Sequence, residues 1–198
     1  MEAGRSFSPG SEIPPLTAIR DALEGRRYVV LDTETTGLHE PELVTVAVVS
    51  AAGEVLIDER VRPGKRIEAD ASRITGITDA MLVDCQEFPV IYPRLLGALT
   101  GSRVVIYNAA YDLKVLANTC RRYGLLSPTV DAWCAMEWYA ALHGEWDPRR
   151  QAYRWQRLSV AAERFGVPEL EAHSALGDCR TTLGVLHAAL QLASDSAT

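Results

Sequence analysis

Two carboxylates separated by one residue end the first strongly hydrophobic segment of the chain. The segment starts at Tyr28, reads Tyr-Val-Val-Leu-Asp-Thr-Glu, and contains Asp32 and Glu34. Because side chains alternate faces along a strand, both carboxylates project from the same face, where their negative charges repel each other. A divalent cation with oxygen ligands would relieve that repulsion. Taken alone, the segment is equally explained by a strand followed by an acidic turn, with Gly37 supplying a positive φ angle.

A metal ion needs more oxygen ligands than two carboxylates provide, and the chain offers two further candidates. Asp112 lies early in a predicted helix that follows a short apolar strand, near the sheet edge where α/β proteins collect ligands. Asp178 opens the last predicted helix, five residues after His173. Each of these aspartates, taken alone, is also explained as an acid that stabilises the N-terminus of its helix.

The elements that must hold these side chains follow from hydrophobic periodicity and turn residues. Two β-branched runs after the first strand are joined by Ala-Ala-Gly, which is typical of an antiparallel turn. Two later apolar runs are typical of buried parallel strands, and helices are predicted between and after them. The predicted strands cover residues 28–32, 43–50, 54–61, 103–107 and 130–133. The predicted fold is therefore α/β, with a mixed five-stranded sheet, an antiparallel three-stranded meander plus parallel strands, flanked by helices.

Composition limits the class of protein. The 198 residues are 47% hydrophobic and 23% charged, which fits a flexible tail at residues 1–14 and a single domain over residues 15–198. A net charge of -6 argues against a broad basic surface for nucleic acid, although bound divalent cations would reverse the sign locally. Without a signal-peptide pattern or a membrane-length apolar run, we expect a cytoplasmic protein and no membrane partner. The four cysteines match no zinc or disulfide spacing, so we expect reduced thiols.

The acidic motifs, taken together, form a pattern that is more specific than any one of them. Asp-x-Glu at residue 32, Asn-x-x-x-Asp at residue 108 and His-x-Ala-x-x-Asp at residue 173 resemble the DEDDh, or DnaQ-like, 3′-5′ exonucleases. That group includes the proofreading epsilon subunit of bacterial DNA polymerase III. Segments 74–78, 130–131, 158–161 and 165–167 are similar to further motifs of the family, so the resemblance covers about residues 27–190. It implies a ribonuclease H-like fold, in agreement with the element order predicted above.

The resemblance also implies a site and a reaction. The four carboxylates would bind two divalent metal ions, Mg²⁺ or Mn²⁺, and His173 would be the general base; the predicted catalytic set is His173, Asp32, Glu34, Asp112 and Asp178. Two ions about 4 Å apart activate a water on one side of a phosphodiester and stabilise the leaving oxygen on the other. Ser174 stands where a tyrosine would indicate the sister subgroup, which favours the histidine class. Tyr107 and Thr75 depart from residues that are frequent in the family.

The implied substrate is a single-stranded 3′ end. The predicted substrate-binding residues are Thr35, Gly37, Leu38, Ile74, Gly76, Ile77, Asn108 and Tyr111. We expect single-stranded DNA to be cut to nucleoside 5′-monophosphates, in repair or proofreading. RNA remains an alternative, because recognition of the 2′-hydroxyl depends on local geometry. A stand-alone enzyme is favoured over a replisome subunit, since no polymerase-binding tail is recognised, and the oligomeric state stays open.

Three further interpretations concern single segments or the whole chain. The insert at residues 146–157 interleaves arginines with aromatic residues, which suits either a strand-binding surface or a solvated loop anchored to the core by Trp155. The run Asp32-Thr33-Glu34-Thr35-Thr36 superficially matches a phosphatase nucleophile loop, but the second aspartate and the downstream acidic pair are missing. A nucleic-acid-binding module without turnover is disfavoured, because a binder has no use for the general base.

Overall fold

The computed structural model of the chain describes residues 15–195. The tail predicted at residues 1–14 lies outside this range. Seven strands are found within it: β1 (Tyr28–Thr35), β2 (Leu43–Ser50), β3 (Val55–Arg60), β4 (Arg103–Ile106), β5 (Asp131–Cys134), β6 (Trp146–Asp147) and β7 (Ala152–Tyr153). Eight helices accompany them in the described range: α1 (Pro15–Leu23), α2 (Ala69–Thr75), α3 (Asp79–Leu82), α4 (Phe88–Leu99), α5 (Ala109–Arg122), α6 (Ala135–His143), α7 (Leu158–Phe165) and α8 (Ala175–Asp195).

The main sheet has five strands in the order β3-β2-β1-β4-β5. The meander β1-β2-β3 is antiparallel, whereas β4 and β5 run parallel to β1. This arrangement confirms the predicted mixed five-stranded sheet. At the carboxyl end of the parallel pair, Leu31 lies opposite Ile106, so Asp32 is the first residue of β1 beyond this pairing. The acidic end of β1 thus emerges at the centre of the sheet.

Two hydrophobic cores cover the two faces of the sheet. Val30 belongs to the core formed with α1, α6, α7 and α8, while Leu31 belongs to the core formed with α4 and α5. Because side chains alternate along β1, Asp32 and Glu34 continue the row of Val30 and face α8. The buried thiol of Cys179 in α8 lies 3.5 Å from the carbonyl oxygens of Val30 and Ala47. Helix α8 is therefore packed directly on β1 and β2.

The structure differs from the sequence-based elements at three places. Residues Ala69–Thr75 form a helix that was not predicted, ended by Gly76 at a φ of 71°. The sequence of residues 143–154 lacks periodicity and predicts a loop, but this segment contains the short hairpin β6-β7. The sequence also predicts a helix over residues 155–165, whereas α7 begins at Leu158, because residues 154–157 are held by hydrogen bonds to the hairpin and to Tyr107. Trp155 is 64% exposed, so the interpretation in which it anchors the loop in the core is wrong.

Two other observations bear on composition. All four cysteines are free thiols, as their spacing predicted. Among the helices in residues 15–195, none combines the length and hydrophobicity needed to cross a membrane.

Candidate active site

Three carboxylates from two distant parts of the chain converge at the end of β1. One oxygen each from Asp32, Glu34 and Asp178 lies within 4.8 Å of the others. Strand alternation directs Asp32 and Glu34 toward α8, and Asp178 occupies the first turn of that helix. All three side chains are half-buried, so the cluster is open to solvent on one side. The structure therefore brings together three of the four carboxylates that the sequence predicts as metal ligands.

Asp112 lies beside this cluster and is only 4% exposed. It comes from the first turn of α5, on the other face of the sheet from α8. Its Oδ1 atom accepts a hydrogen bond of 2.7 Å from the hydroxyl of Thr33. This bond holds Asp112 against β1, and the charge of Asp112 is the largest contribution of a neighbouring charge to the raised pKa of Asp32. All four predicted acidic residues thus meet at one end of the sheet.

Burial raises the pKa of every carboxylate in the site, and repulsion by the neighbouring carboxylates adds to the rise for Asp32 and Glu34. Burial is the largest cause for Asp32, followed by the charges of Asp112, Asp178 and Glu34. Burial and neighbouring charges raise the pKa of Glu34 to about 7. Burial also raises the pKa of Asp112 to about 7, although the hydrogen bond from Thr33 opposes the rise. The cluster therefore favours bound protons or a bound cation over four bare negative charges.

The donor set fits a hard divalent cation. All the converging ligand atoms are carboxylate oxygens, which Mg²⁺ and Mn²⁺ prefer, whereas zinc and copper sites are richer in nitrogen and sulfur. The free thiol of Cys179 donates to the backbone carbonyls of β1 and β2 and is not among the converging ligand atoms. The residues present thus suit Mg²⁺ or Mn²⁺.

His173 lies in the loop that leads into α8, and its side chain is exposed. Its backbone adopts a left-handed conformation with a φ of 63°, which is uncommon for a residue other than glycine. The carboxylate of Asp178 accepts a hydrogen bond from the backbone N–H of His173, and the nearby imidazole charge also opposes the rise in its pKa. His173 is therefore held against the carboxylate cluster with its imidazole free to meet solvent.

Two neighbours shape this loop. The hydroxyl of Ser174 accepts a 3.1 Å hydrogen bond from the backbone N–H of Gly177, so Ser174 caps the start of α8. A Cβ atom at Gly177 would clash with the carbonyl oxygen of Leu170. Glycine at this position therefore lets the loop that carries His173 pack closely on α8.

Three of the predicted substrate residues form one hydrogen-bonded group. The hydroxyls of Thr35 and Tyr111 lie 2.9 Å from each other and 3.1 and 3.0 Å from the carbonyl oxygen of Gly37, so two hydroxyl protons are shared among three contacts. The next residue, Leu38, presents a side chain that is 72% exposed. This group holds Leu38 outward beside the carboxylates of β1.

The remaining predicted substrate residues occupy different environments. Ile74 is exposed on α2, and Gly76 ends that helix. Ile77 is buried against Val44 and Leu82, so its side chain packs the segment after α2 onto the rest of the protein. Asn108 begins α5 and accepts the backbone N–H groups of the first helical turn through its carbonyl oxygen, while no hydrogen bond from its side chain caps this helix.

Sequence reasoning missed Glu68. Its backbone N–H donates to the carbonyl oxygen of Thr36 at 2.7 Å, and its carboxylate accepts the N–H of Leu38 at 3.4 Å. A Cβ atom at Gly37 would clash with this carboxylate. Glu68 therefore connects the segment before Ile74 to the loop of Leu38. The one sequence signal that could have revealed the contact is the glycine itself, which marks a close approach.

Comparison with known proteins adds a family and relatives to this geometry. Residues 29–186 match the family model RNase_T, described as exonuclease. The protein named uncharacterized exonuclease CP81 of Escherichia phage 186 is 37% identical over 168 residues, which are 81% of this chain and 86% of that protein. The DNA polymerase III epsilon subunit of Buchnera aphidicola is 32% identical over 99 residues, 44% of this chain and 42% of the subunit.

Solved structures share the fold at lower identity. E. coli exonuclease I in complex with a dT13 oligonucleotide has a TM-score of 0.65 and 19% identity, over 80% of this chain and 39% of that chain. The nuclease domain of 3′hExo, a DEDDh family member bound to rAMP, has a TM-score of 0.62 and 17% identity, over 87% and 94% of the two chains. The ribonuclease H-like fold predicted from the sequence is thereby confirmed. The chain spans only 11–29% of three other curated relatives.

Proposed function

The chain belongs to the DnaQ-like exonucleases of the DEDDh class, and on that premise we propose that it hydrolyses single-stranded DNA from the 3′ end with two divalent metal ions. Exonucleases of this kind are hydrolases that use divalent metals. The convergence of carboxylate oxygens from Asp32, Glu34 and Asp178 within 4.8 Å, with Asp112 beside them, carries the proposal.

Each site residue has a task in the proposed reaction. Asp32, Glu34, Asp112 and Asp178 would hold the ions, which when bound supply an activated water and positive charge for the leaving 3′ oxygen. His173 takes the proton of the attacking water at its imidazole, the side chain best suited to accept a proton near neutral pH. Thr33 keeps Asp112 oriented through its hydrogen bond. The product is a nucleoside 5′-monophosphate.

The substrate end is proposed to lie against the loop after β1. The exposed Leu38 is placed to contact the terminal base, and the joined hydroxyls of Thr35 and Tyr111 lie at the base of that loop. Glu68 contacts the loop of Leu38, and the segment that follows it carries Ile74 and Gly76, which would line the other side of the bound strand. Single-stranded DNA is preferred because a structural neighbour, exonuclease I, holds dT13. RNA is the second candidate, because another neighbour holds rAMP.

The proposal extends to the whole protein. We assign the activity to one domain spanning residues 15–198 that works as a stand-alone enzyme of DNA repair or proofreading in the cytoplasm. The phage 186 exonuclease supports the assignment of exonuclease activity to a protein of about this length, because the chain spans 86% of it. Size-exclusion chromatography with and without a polymerase III core tests the stand-alone assignment.

Incubation with 5′-labelled single-stranded DNA and RNA tests the activity and its preference. We expect a ladder that shortens from the 3′ end with Mg²⁺ or Mn²⁺, runs faster on DNA, and disappears in chelator and in Asp178→Ala. The matched control is Asp70→Ala, which replaces an aspartate in α2 whose side chain is 80% exposed, and we expect it to keep full activity. The absence of a ladder under every metal condition would contradict the proposal, and faster cleavage of RNA would select the alternative substrate.

A further inference from the structure

The hairpin β6-β7 between α6 and α7 is held together by backbone, ionic and aromatic contacts. The backbone N–H of Arg154 donates to the carbonyl oxygen of Glu145 at 2.8 Å, and their side chains form an ion pair at 3.0 Å. Across the hairpin, the rings of Trp146 and Tyr153 meet edge to face with centroids 5.2 Å apart. The chain that leaves the hairpin at Arg154 therefore has a defined direction.

The exit of this hairpin is fastened beside the carboxylate cluster. Tyr107 follows Ile106, the partner of Leu31, so it lies next to Asp32 on the neighbouring strand and on the same face. The hydroxyl of Tyr107 donates a 3.0 Å hydrogen bond to the carbonyl oxygen of Gln156. Residues 154–157 are thus held at the end of the sheet that carries the candidate active site.

The path of the following chain leads to the same placement. Val167 lies close to Gly184 in the middle of α8, and Leu170 lies close to Gly177 in its first turn. Residues 167–170 therefore run along α8 toward its first turn. Since Gln156 is bonded to Tyr107 at the active-site end of the sheet, α7 runs the opposite way, from that end toward the middle of α8, and Arg157 lies at its active-site end.

Trp155 stands on this fastened segment with its indole 64% exposed. It belongs to neither large core, and within residues 15–195 no aromatic ring or guanidinium stacks on it. Two residues on, Arg157 is exposed, and in the same part of the chain no carboxylate pairs with its guanidinium within 4.0 Å. Folding therefore leaves an exposed indole and an exposed guanidinium on either side of Gln156, the residue that is bonded to Tyr107.

We propose that Trp155 and Arg157 form a binding site for the single strand upstream of the cleaved bond. Trp155 stacks on an unpaired base and Arg157 binds an adjacent phosphate. Stacking on tryptophan accepts any base, since every base has a π face, so the contact suits an enzyme that shortens strands of any sequence. The local positive charge offsets a protein whose net charge is -6. The identity of the strand as substrate rests on the function proposed above.

Two substrates of different length test this site. A twenty-nucleotide deoxythymidine strand reaches Trp155, whereas the p-nitrophenyl ester of thymidine 5′-monophosphate occupies only the cleavage position. We expect Trp155→Ala to raise KM for the strand about tenfold with kcat changed less than about twofold, and to leave ester hydrolysis unchanged. Trp155→Phe restores most of the affinity, and Arg157→Gln raises KM with a weaker dependence on salt. The control is Leu126→Ala, an exposed apolar side chain beyond the far end of α5.

The outcomes separate this inference from the proposed function. Equal KM values for the wild type, Trp155→Ala and Leu126→Ala in an active enzyme would overturn the strand site alone. Loss of both activities in Trp155→Ala would make the residue structural and would also overturn it. If the wild type cleaves neither substrate with any metal, the proposed function fails. In that case, fluorescence anisotropy of a labelled deoxythymidine strand tests the strand-binding site by itself. The site predicts about tenfold weaker binding by Trp155→Ala than by the wild type.

Discussion

Thr33 donates a 2.7 Å hydrogen bond from its hydroxyl to Oδ1 of Asp112, although 79 residues separate them in the chain. Thr33 stands between Asp32 and Glu34, so strand alternation turns it to the opposite face, where α5 packs. One short strand therefore presents two carboxylates toward α8 and holds a third through the residue between them.

Replacement of Thr33 by valine removes this bond while it keeps the shape of the side chain. A lost hydrogen bond to a charged group is worth roughly 1.5 kcal/mol, so we expect the Mn²⁺ concentration for half-maximal activity to rise about tenfold. Thr33→Ser keeps the hydroxyl and should behave nearly as the wild type. Metal-activation curves for the three proteins measure the effect, and identical curves for valine and threonine would show that Asp112 needs no such support.

The raised pKa values of the carboxylates predict how stability depends on pH. Glu34 and Asp112, each with a pKa of about 7, bind protons more tightly in the folded chain than in the unfolded chain. The free energy of unfolding of the metal-free protein should therefore fall, by on the order of 2 kcal/mol, as pH rises from about 4 through about 7. Urea denaturation in chelator at pH 5 and pH 8 measures this difference.

Metal should oppose that pH dependence of stability, and removal of one carboxylate should weaken it. Mn²⁺ replaces the protons and binds only ionised carboxylates, so its stabilisation should grow with pH. Asp112→Asn removes one of the repelling charges and should make the metal-free protein more stable at pH 8 than the wild type. A metal-free wild type that is more stable at pH 8 than at pH 5 would refute the electrostatic account of the site.

His173→Ala should separate proton transfer from metal binding. General bases contribute about 10²- to 10⁴-fold to rate, so we expect a loss of turnover in that range. Because Asp178 contacts the backbone N–H of His173, metal affinity measured by calorimetry should stay within about threefold. His187→Ala, which alters an exposed histidine on α8 bonded to the carbonyl oxygen of Ala51, is the control. Metal affinity lost in parallel with turnover would make His173 a ligand.

Gly177→Ala should damage the loop that carries His173. The added methyl group would clash with the carbonyl oxygen of Leu170, so the loop must move away from α8. We expect a loss of about 1–3 kcal/mol in stability together with reduced kcat. Gly97→Ala in α4 is the matched control, because nothing lies within 4 Å of its Cβ atom; it should gain about 0.5–1 kcal/mol. Thermal unfolding compares both variants, and an unchanged Gly177→Ala would show that the close approach is dispensable.

The sheet and the acidic cluster could be predicted from the sequence, because each follows from a local sequence pattern. Alternation along β1 placed Asp32 and Glu34 on one face, and the apolar run before Tyr107 identified a buried parallel strand. The mixed five-stranded sheet is confirmed, and its prediction succeeded because turns, strand lengths and the family motifs all indicated the same arrangement. The roles of the individual site residues stay predictions.

Contacts between distant segments left no such local mark. Glu68 closes the loop of Leu38 across the surface, and Thr33 fastens Asp112, yet neither residue belongs to a pattern of spacing. Helix α2 buries no residue, so it lacks the apolar stripe that would have predicted it. The sequence left the placement of Trp155 undecided, because its neighbour Gln156 is held by a hydrogen bond from the distant Tyr107, which only the folded chain reveals.

Crystals grown with Mn²⁺ and thymidine 5′-monophosphate, measured at the manganese absorption edge, test the central claim most directly. The account predicts two anomalous peaks about 4 Å apart, bounded by the carboxylates of Asp32, Glu34, Asp112 and Asp178, with the nucleotide phosphate between the peaks and His173. The absence of manganese from these carboxylates at saturating Mn²⁺, or its binding only elsewhere on the chain, would contradict it.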